Sequence, residues 1–127
     1  MIKVIISEDC GNSPKNIFVQ ELTIAFAKGA SKFILQSVTD DIRWKMVGDK
    51  VIEGKDRFAE ALEERKKDKA AELSIQHIAT HGKAGAVDGR IKFKTGKTHA
   101  FCNVYEFSNS RGASVKEIIS YVIEIEA

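Results

Sequence analysis

A chain of 127 residues suits one domain and can bury a core without disulfides or metals. Its 43% hydrophobic and 30% charged residues are an ordinary globular balance, and no apolar run approaches a membrane-spanning length. With 20 basic and 18 acidic residues the net charge is +2, and the basic residues are spread along the chain, so neither a nucleic acid nor a membrane is expected as a partner.

Residues 1–12 read as an N-terminal extension of a single domain covering 1–127. Their short apolar run, Val4 to Ile6, is too small for a signal segment and no small-residue cleavage site follows, so the default location is cytoplasmic. Cys10 and Cys102 sit in unlike contexts and read as free thiols of a reducing compartment, with a disulfide between them as the lesser alternative. Ser13 and Pro14 predict the cap and first residue of a helix with Phe18, Leu22, Ala25 and Phe26 at helical spacing. Gly29 ends it. Ser31 opens a short second helix with Ile34, Leu35 and Val38 on its apolar face. Thr39-Asp40-Asp41 reads as a turn, its carboxylates in turn and capping duty rather than a catalytic pair. A strand over about 42–47 then places Ile42, Trp44 and Met46 on one face, before a Gly48-Asp49 turn. A third helix begins near Lys55, with Phe58 and Leu62 inward and the solvated charges of "EERKKDK" at its end.

From Ala71 the period changes to two. "ELSIQHIAT" alternates loosely, whereas Val87, Gly89, Ile91 and Phe93 share one face of a half-buried strand. Thr95-Gly96 reads as a hairpin turn, and the returning strand sets Phe101, Asn103, Tyr105 and Phe107 on one face. A loop over 108–114 leads to a last strand in which Ile119, Tyr121 and Ile123 share a face. Helices on one side of a strongly curved antiparallel sheet make an α+β domain, a cone-shaped barrel with three helices and an internal pocket. The inward faces predict a lining of Leu22, Phe26, Trp44, Met46, Phe101, Asn103, Tyr105 and Tyr121, with Asn103 and the tyrosine hydroxyls as polar handles. The same side chains can also simply fill a core. Ala100, Cys102, Val104, Ile118, Ser120 and Val122 are left for the outer face, and their apolar character predicts a homodimer.

Catalytic candidates are His99 at the pocket rim, Tyr121 and Asn103. His77, His81 and His99 lack a metal-ligand spacing. No cofactor is expected, since "AKGAS" and "GKAGAVDG" lack the strand-loop-helix pattern of a phosphate cradle.

The stretch "FVQELTIAFAKGASKFILQSVTDDIRWKMVGDKVIEGKDRFAEAL" resembles the first half of the nuclear-transport-factor-2-like, or SnoaL-like, superfamily, and "HAFCNVYEFSNSRGASVKEIISYVI" resembles its closing hairpin. The resemblance implies a cone-shaped barrel, often dimeric through the outer sheet face. That superfamily includes ketosteroid isomerase, cyclases, dehydratases and non-enzymatic binding proteins, so fold alone constrains function little. Ketosteroid isomerase uses a carboxylate base with a tyrosine and a protonated aspartic acid as oxyanion donors. Carried over, those positions fall at Met46, Leu22 and Asn103, so steroid isomerisation by that route is not expected. The sequence therefore points to a domain binding a small apolar or aromatic molecule. The alternatives are a cyclase, isomerase or dehydratase-type enzyme acting on a small carbonyl compound, or a protein-interaction module with a filled pocket.

Overall fold

The structure, a computed structural model, describes residues 2–110 and 114–126. In chain order its elements are β1 (Lys3–Ile6), a short 3-10 turn (Glu8–Cys10), α1 (Pro14–Lys28), α2 (Ser31–Gln36), β2 (Val38–Met46), β3 (Val51–Glu53), α3 (Lys55–Arg65), β4 (Ala70–His81), β5 (Ala84–Phe93), β6 (Thr98–Phe107) and β7 (Val115–Ile125).

Helix α1 begins where its first residues dictate. Ser13 Oγ accepts from Asn16 N–H at 3.2 Å, and Pro14 occupies the first helical position, where its missing N–H costs nothing. The Asn16 side chain ties this end to the sheet, donating to Cys10 O at 2.8 Å and Ile78 O at 3.3 Å. At the other end Gly29 takes the left-handed conformation at φ 72°. Ala30 N–H reaches Ala25 O at 2.9 Å and Gly29 N–H reaches Phe26 O at 3.3 Å, the paired bonds of a Schellman end. That stop fixes Phe26 and Ala27 in the last turn, facing the sheet's opening.

The sheet has seven strands in the order β1-β4-β5-β6-β7-β2-β3. It is mixed rather than purely antiparallel: β1 runs parallel to β4, and β2 parallel to β7. It curves without closing, since β1 and β3 are both edges. α1 packs against β4 and β5, and α3 against β2. Val19, Leu22, Phe58, Leu73, Ile75, Val87, Phe107 and Ile118 form the core between the layers, each at most 1% exposed. The curvature has a local cause. β4 carries an extra residue between Ile75 and His77, directly opposite Gly89 of β5. A bulge bends and twists its strand, and a glycine beside it lets the backbones close in.

Several expectations change here. Residues 3–6, read as an extension, add the edge strand β1. Thr39-Asp40-Asp41 lies within β2 and is not a turn; the chain reaches extended geometry at Val38, which pairs with Val115. The two carboxylates are exposed, Asp41 accepting from Thr39 Oγ1 at 2.7 Å and Asp40 lying 3.4 Å from Lys55 Nζ. A short strand, β3, follows the Gly48-Asp49 turn. The loop expected over 108–114 falls partly outside the described residues, at 111–113. No helix of the described residues is long and apolar enough to cross a membrane. Cys10 and Cys102 are both free thiols.

The face assignment of β7 is also corrected. Asn103 stands directly opposite Ser120, and Cys102 opposite Tyr121. Opposed residues of an antiparallel pair share a face. Ile118, Ser120 and Val122 therefore join Asn103 on the concave side, and Ile119, Tyr121 and Ile123 join Cys102 outside. Both alternating sets of "VKEIISYVIEI" are largely apolar, so period two alone does not choose between them.

Candidate functional site

Between the concave sheet face and the C-terminal ends of α1 and α3 lies a cavity of about 680 Å³. Its wall is largely apolar: Phe26 and Ala27 from α1, Trp44 from β2, Ile91 from β5, Phe101 from β6. Thr23, His99, Asn103 and Ser120 add polar atoms to it.

Trp44 sits at the back, 3% exposed. Its ring centroid lies 5.5 Å from that of Phe26 and 5.3 Å from that of Phe58. Its Nε1–H donates to Ser120 Oγ at 2.9 Å, which satisfies the one polar group of the indole. The Arg65 guanidinium carbon rests 4.8 Å from the Trp44 ring centroid, within cation–π range. Arg65 Nη2 also donates to Met46 Sδ at 3.3 Å. Burial lowers the pKa of this guanidinium, Asp49 and Asp68 partly offsetting the effect, but an arginine remains a cation at any physiological pH. Although Arg65 as a whole residue is exposed, it is the charged head that rests on the indole and is desolvated.

Asn103 faces inward from the middle of β6 and reaches the cavity surface. Beneath it is Tyr105, 1% exposed. Burial pushes the Tyr105 pKa up to about 12, while neighbouring Thr23 and Asn103 favour the ionised form. Neither neighbour completes a hydrogen bond of normal geometry to that hydroxyl; Thr23 Oγ1 donates instead to Val19 O at 2.8 Å. Tyr105 is therefore a neutral hydroxyl near pH 7 and cannot serve as a base.

His99 lines the cavity nearer its mouth. Its ring meets Phe93 edge-on, centroids 5.4 Å apart. Its Nδ1 is buried and has no hydrogen-bond partner among the described residues. Such an atom calls for a partner that enters the cavity, water or ligand.

Of the lining expected from the sequence, Phe26, Trp44, Phe101 and Asn103 meet at the cavity. Leu22 and Tyr105 are packed in the core beneath it. Met46 is buried on the far side of Arg65, against a more open surface cleft beside Asp49 and Arg57. Tyr121 is on the outer face, 49% exposed, and so cannot act on anything in the cone. His77 is exposed beside Asp88, at 2.9 Å, and His81 is exposed at the Gly82 turn. No group of three or more His, Cys, Asp or Glu among the described residues could hold a metal ion. Thr23, Ser120 and the charged mouth were not anticipated. Ser120 follows from the strand pairing once β7 is in register, but nothing local in the sequence marks the mouth.

Helices laid over a curved open sheet around an interior cavity define an α+β cone. Among solved structures, an NTF2-like protein of unknown function from Cytophaga hutchinsonii matches with a TM-score of 0.64, at 23% identity, covering 84% of this chain and 97% of its own. An NTF2-like protein of unknown function from Burkholderia xenovorans matches at 0.70, with 19% identity and 91% of each chain. The epoxide hydrolase/cyclase-like enzyme SalBIII of salinomycin pyran-ring formation matches at 0.72, with 15% identity, 86% of this chain and 90% of its own. No protein-family model matches the sequence, and no curated protein is similar to it in sequence. The fold is thus the nuclear-transport-factor-2-like fold that these structures share.

Proposed function

We propose that this domain binds a small apolar or aromatic molecule in its cone. The observation that carries this reading is the cavity itself, about 680 Å³ with an aromatic wall and a few inward polar groups. That size and composition suit a small-molecule site. A protein-interaction module with a filled pocket fits less well, because its own side chains leave this space open. Native mass spectrometry of the purified protein tests the reading: a retained small molecule, lost on denaturation, supports it.

An enzyme of the cyclase, isomerase or dehydratase kind is the second reading, favoured by the unpartnered Nδ1 of His99 beside Asn103's wall. Two proteins of similar fold are described as enzymes, SalBIII as epoxide hydrolase/cyclase-like and one from Mycobacterium tuberculosis as an epoxide hydrolase. Against a carboxylate-driven hydrolysis here, Asp68 at the mouth is the only carboxylate lining the cavity among the described residues. Asn103 separates the two readings. If it only orients a ligand, Asn103→Ala weakens binding by about 1–3 kcal/mol, the range for losing a buried polar contact, and no turnover exists to lose. If it steadies a developing oxyanion on a small carbonyl substrate, the same variant lowers turnover by roughly 10²–10³ with affinity much less changed. Calorimetry and product analysis on one variant decide between them.

The proposed partner on the outer face is a second copy of the chain. Ala100 opposes Ile123, Cys102 opposes Tyr121, and Val104 opposes Ile119, a continuous apolar strip across β6 and β7. Tyr121 and Ile123 are 49% and 65% exposed. Large apolar side chains grouped on one exposed sheet face are best covered by a two-fold contact. Light scattering at micromolar concentration is expected to give the dimer mass, and Ile123→Glu the monomer mass. A monomeric parent protein rejects the contact.

A further inference from the structure

We propose that the molecule held in the cone carries one anionic group, a carboxylate, sulfate or phosphate monoester, seated at the mouth against Arg65, Lys69 and Lys97 while its apolar body lies on Trp44 and Phe101. This rests on the reading of the cavity as a binding site and adds the ligand's charge and orientation to it.

The mouth is made by the segment that follows α3 and by the turn between β5 and β6. A backbone bond from Lys94 N–H to Lys69 O, 2.8 Å long, ties the two together. They surround the opening with Arg65, Lys67, Lys69, Lys94 and Lys97 against Asp68 alone. With the Glu64 carboxylate that pairs with Lys67 also counted, five cations against two carboxylates make the rim +3, whereas the whole chain carries only +2. The rest of the molecule therefore sums to about −1, and the chain's net positive excess lies at this opening.

Cations at a helix C-terminus commonly serve the helix dipole or pair with nearby acids. Lys66 and Lys67 do so, bonding Glu63 and Glu64 at 3.0 and 3.1 Å. Arg65, Lys69, Lys94 and Lys97 do not: none has a carboxylate within 4.0 Å among the described residues. Arg65 is moreover drawn out of solvent onto Trp44, where Asp49 and Asp68 offset the cost of burying its charge only in part and its guanidinium donors other than the one on Met46 stand ready for a planar or tetrahedral anion. A cleft of one sign over an apolar wall concentrates oppositely charged ligands. Inside, the polar groups Asn103, Ser120 and His99 bring no carboxylate that would repel one.

Two fluorescent probes that share an aromatic body test this. 1-Anilinonaphthalene-8-sulfonate carries the anion, and N-phenyl-1-naphthylamine lacks it. The sulfonate is expected to bind at least about tenfold more tightly, the scale of one charge-assisted contact. That gap should narrow in about 0.5 M salt, where screening shortens to a few ångströms. Arg65→Gln and Lys97→Gln should each weaken the sulfonate several-fold and leave the neutral probe unchanged, the neutral probe reporting that the cavity is intact. Lys92→Gln, on the outer face of β5, should change neither. Equal affinity for the two probes, or an equal loss of the sulfonate in Lys92→Gln, overturns the anionic ligand while leaving a binding cavity in place. Binding of neither probe removes the cavity reading itself, and this proposal with it.

Discussion

Replacing Trp44 by alanine is expected to lower stability by about 4 kcal/mol, within the ~3–5 kcal/mol range for truncating a buried aromatic. Three contacts are lost at once. The ring is packed between Phe26 and Phe58, its N–H satisfies Ser120 Oγ, and its face carries the Arg65 guanidinium. The Ser120 hydroxyl would be left buried without its donor. For a domain of this size the loss corresponds to a fall in Tm of more than roughly 10 °C. Because Trp44 is the only tryptophan, unfolding must be followed by circular dichroism rather than intrinsic fluorescence. The same variant should bind the aromatic probes more weakly. A folded Trp44→Ala protein that binds them as the parent does would make Trp44 a core residue with no part in the site.

Gly89→Ala should be nearly as damaging, although it adds a single methyl group to the surface of a strand. A Cβ at Gly89 would stand 2.0 Å from the backbone oxygen of Ser74, which cannot swing aside as a side chain can. It would also meet Phe101 Cζ at 3.1 Å, pressing that ring toward the cavity. Relief requires β4 and β5 to separate at the bulge, at a cost of about 3 kcal/mol, the upper part of the range for overpacking. Gly85→Ala provides the contrast. Its nearest obstacles are ring atoms of Phe107 at 3.1 Å, which can move, so a loss of only about 1 kcal/mol is expected there. Urea unfolding of both variants checks the difference. Equal, small losses would mean that the bulge does not bring the strands so close.

The two variants also show how the cone serves the site. Gly89 allows the bulged strand to approach, and the resulting curvature brings Phe101 across toward Trp44. A flat sheet with the same residues would leave these rings on an open face. Fold stability and cavity shape thus rest on the same few contacts, so binding should be measured only in variants shown to be folded.

The sequence by itself determined whatever depends on neighbours close along the chain. Ser13-Pro14 and Gly29 bound α1 because capping and the left-handed stop act within one turn. Phe58 and Leu62 mark the buried side of α3 by spacing alone. Val87 with Gly89 reveals the concave face of β5 because the alternate positions there are charged or small, and Phe101 with Tyr105 and Phe107 marks that of β6 by its run of aromatics. The family resemblance implied the same order of elements and the same cone.

Only tertiary structure decided the rest, because each remaining choice turns on residues far apart in sequence. β7 is apolar at both parities, and only its pairing with β6 turns Ser120 inward and Tyr121 outward. Leu22 and Met46 share faces with cavity residues, but depth along the cone places them in packing instead. Val38 extends the strand through Asp41 because Val115 is there to pair with it, and Lys3–Ile6 gain their place from β4. The charge at the mouth is the plainest case. Arg65 ends α3 and Lys69 follows it, whereas Lys94 and Lys97 flank the β5–β6 turn about 25 residues on, and nothing in the sequence sets the two groups side by side. The curvature of the sheet and one backbone bond between the loops bring them to one opening, where low-dielectric walls make their shared charge count.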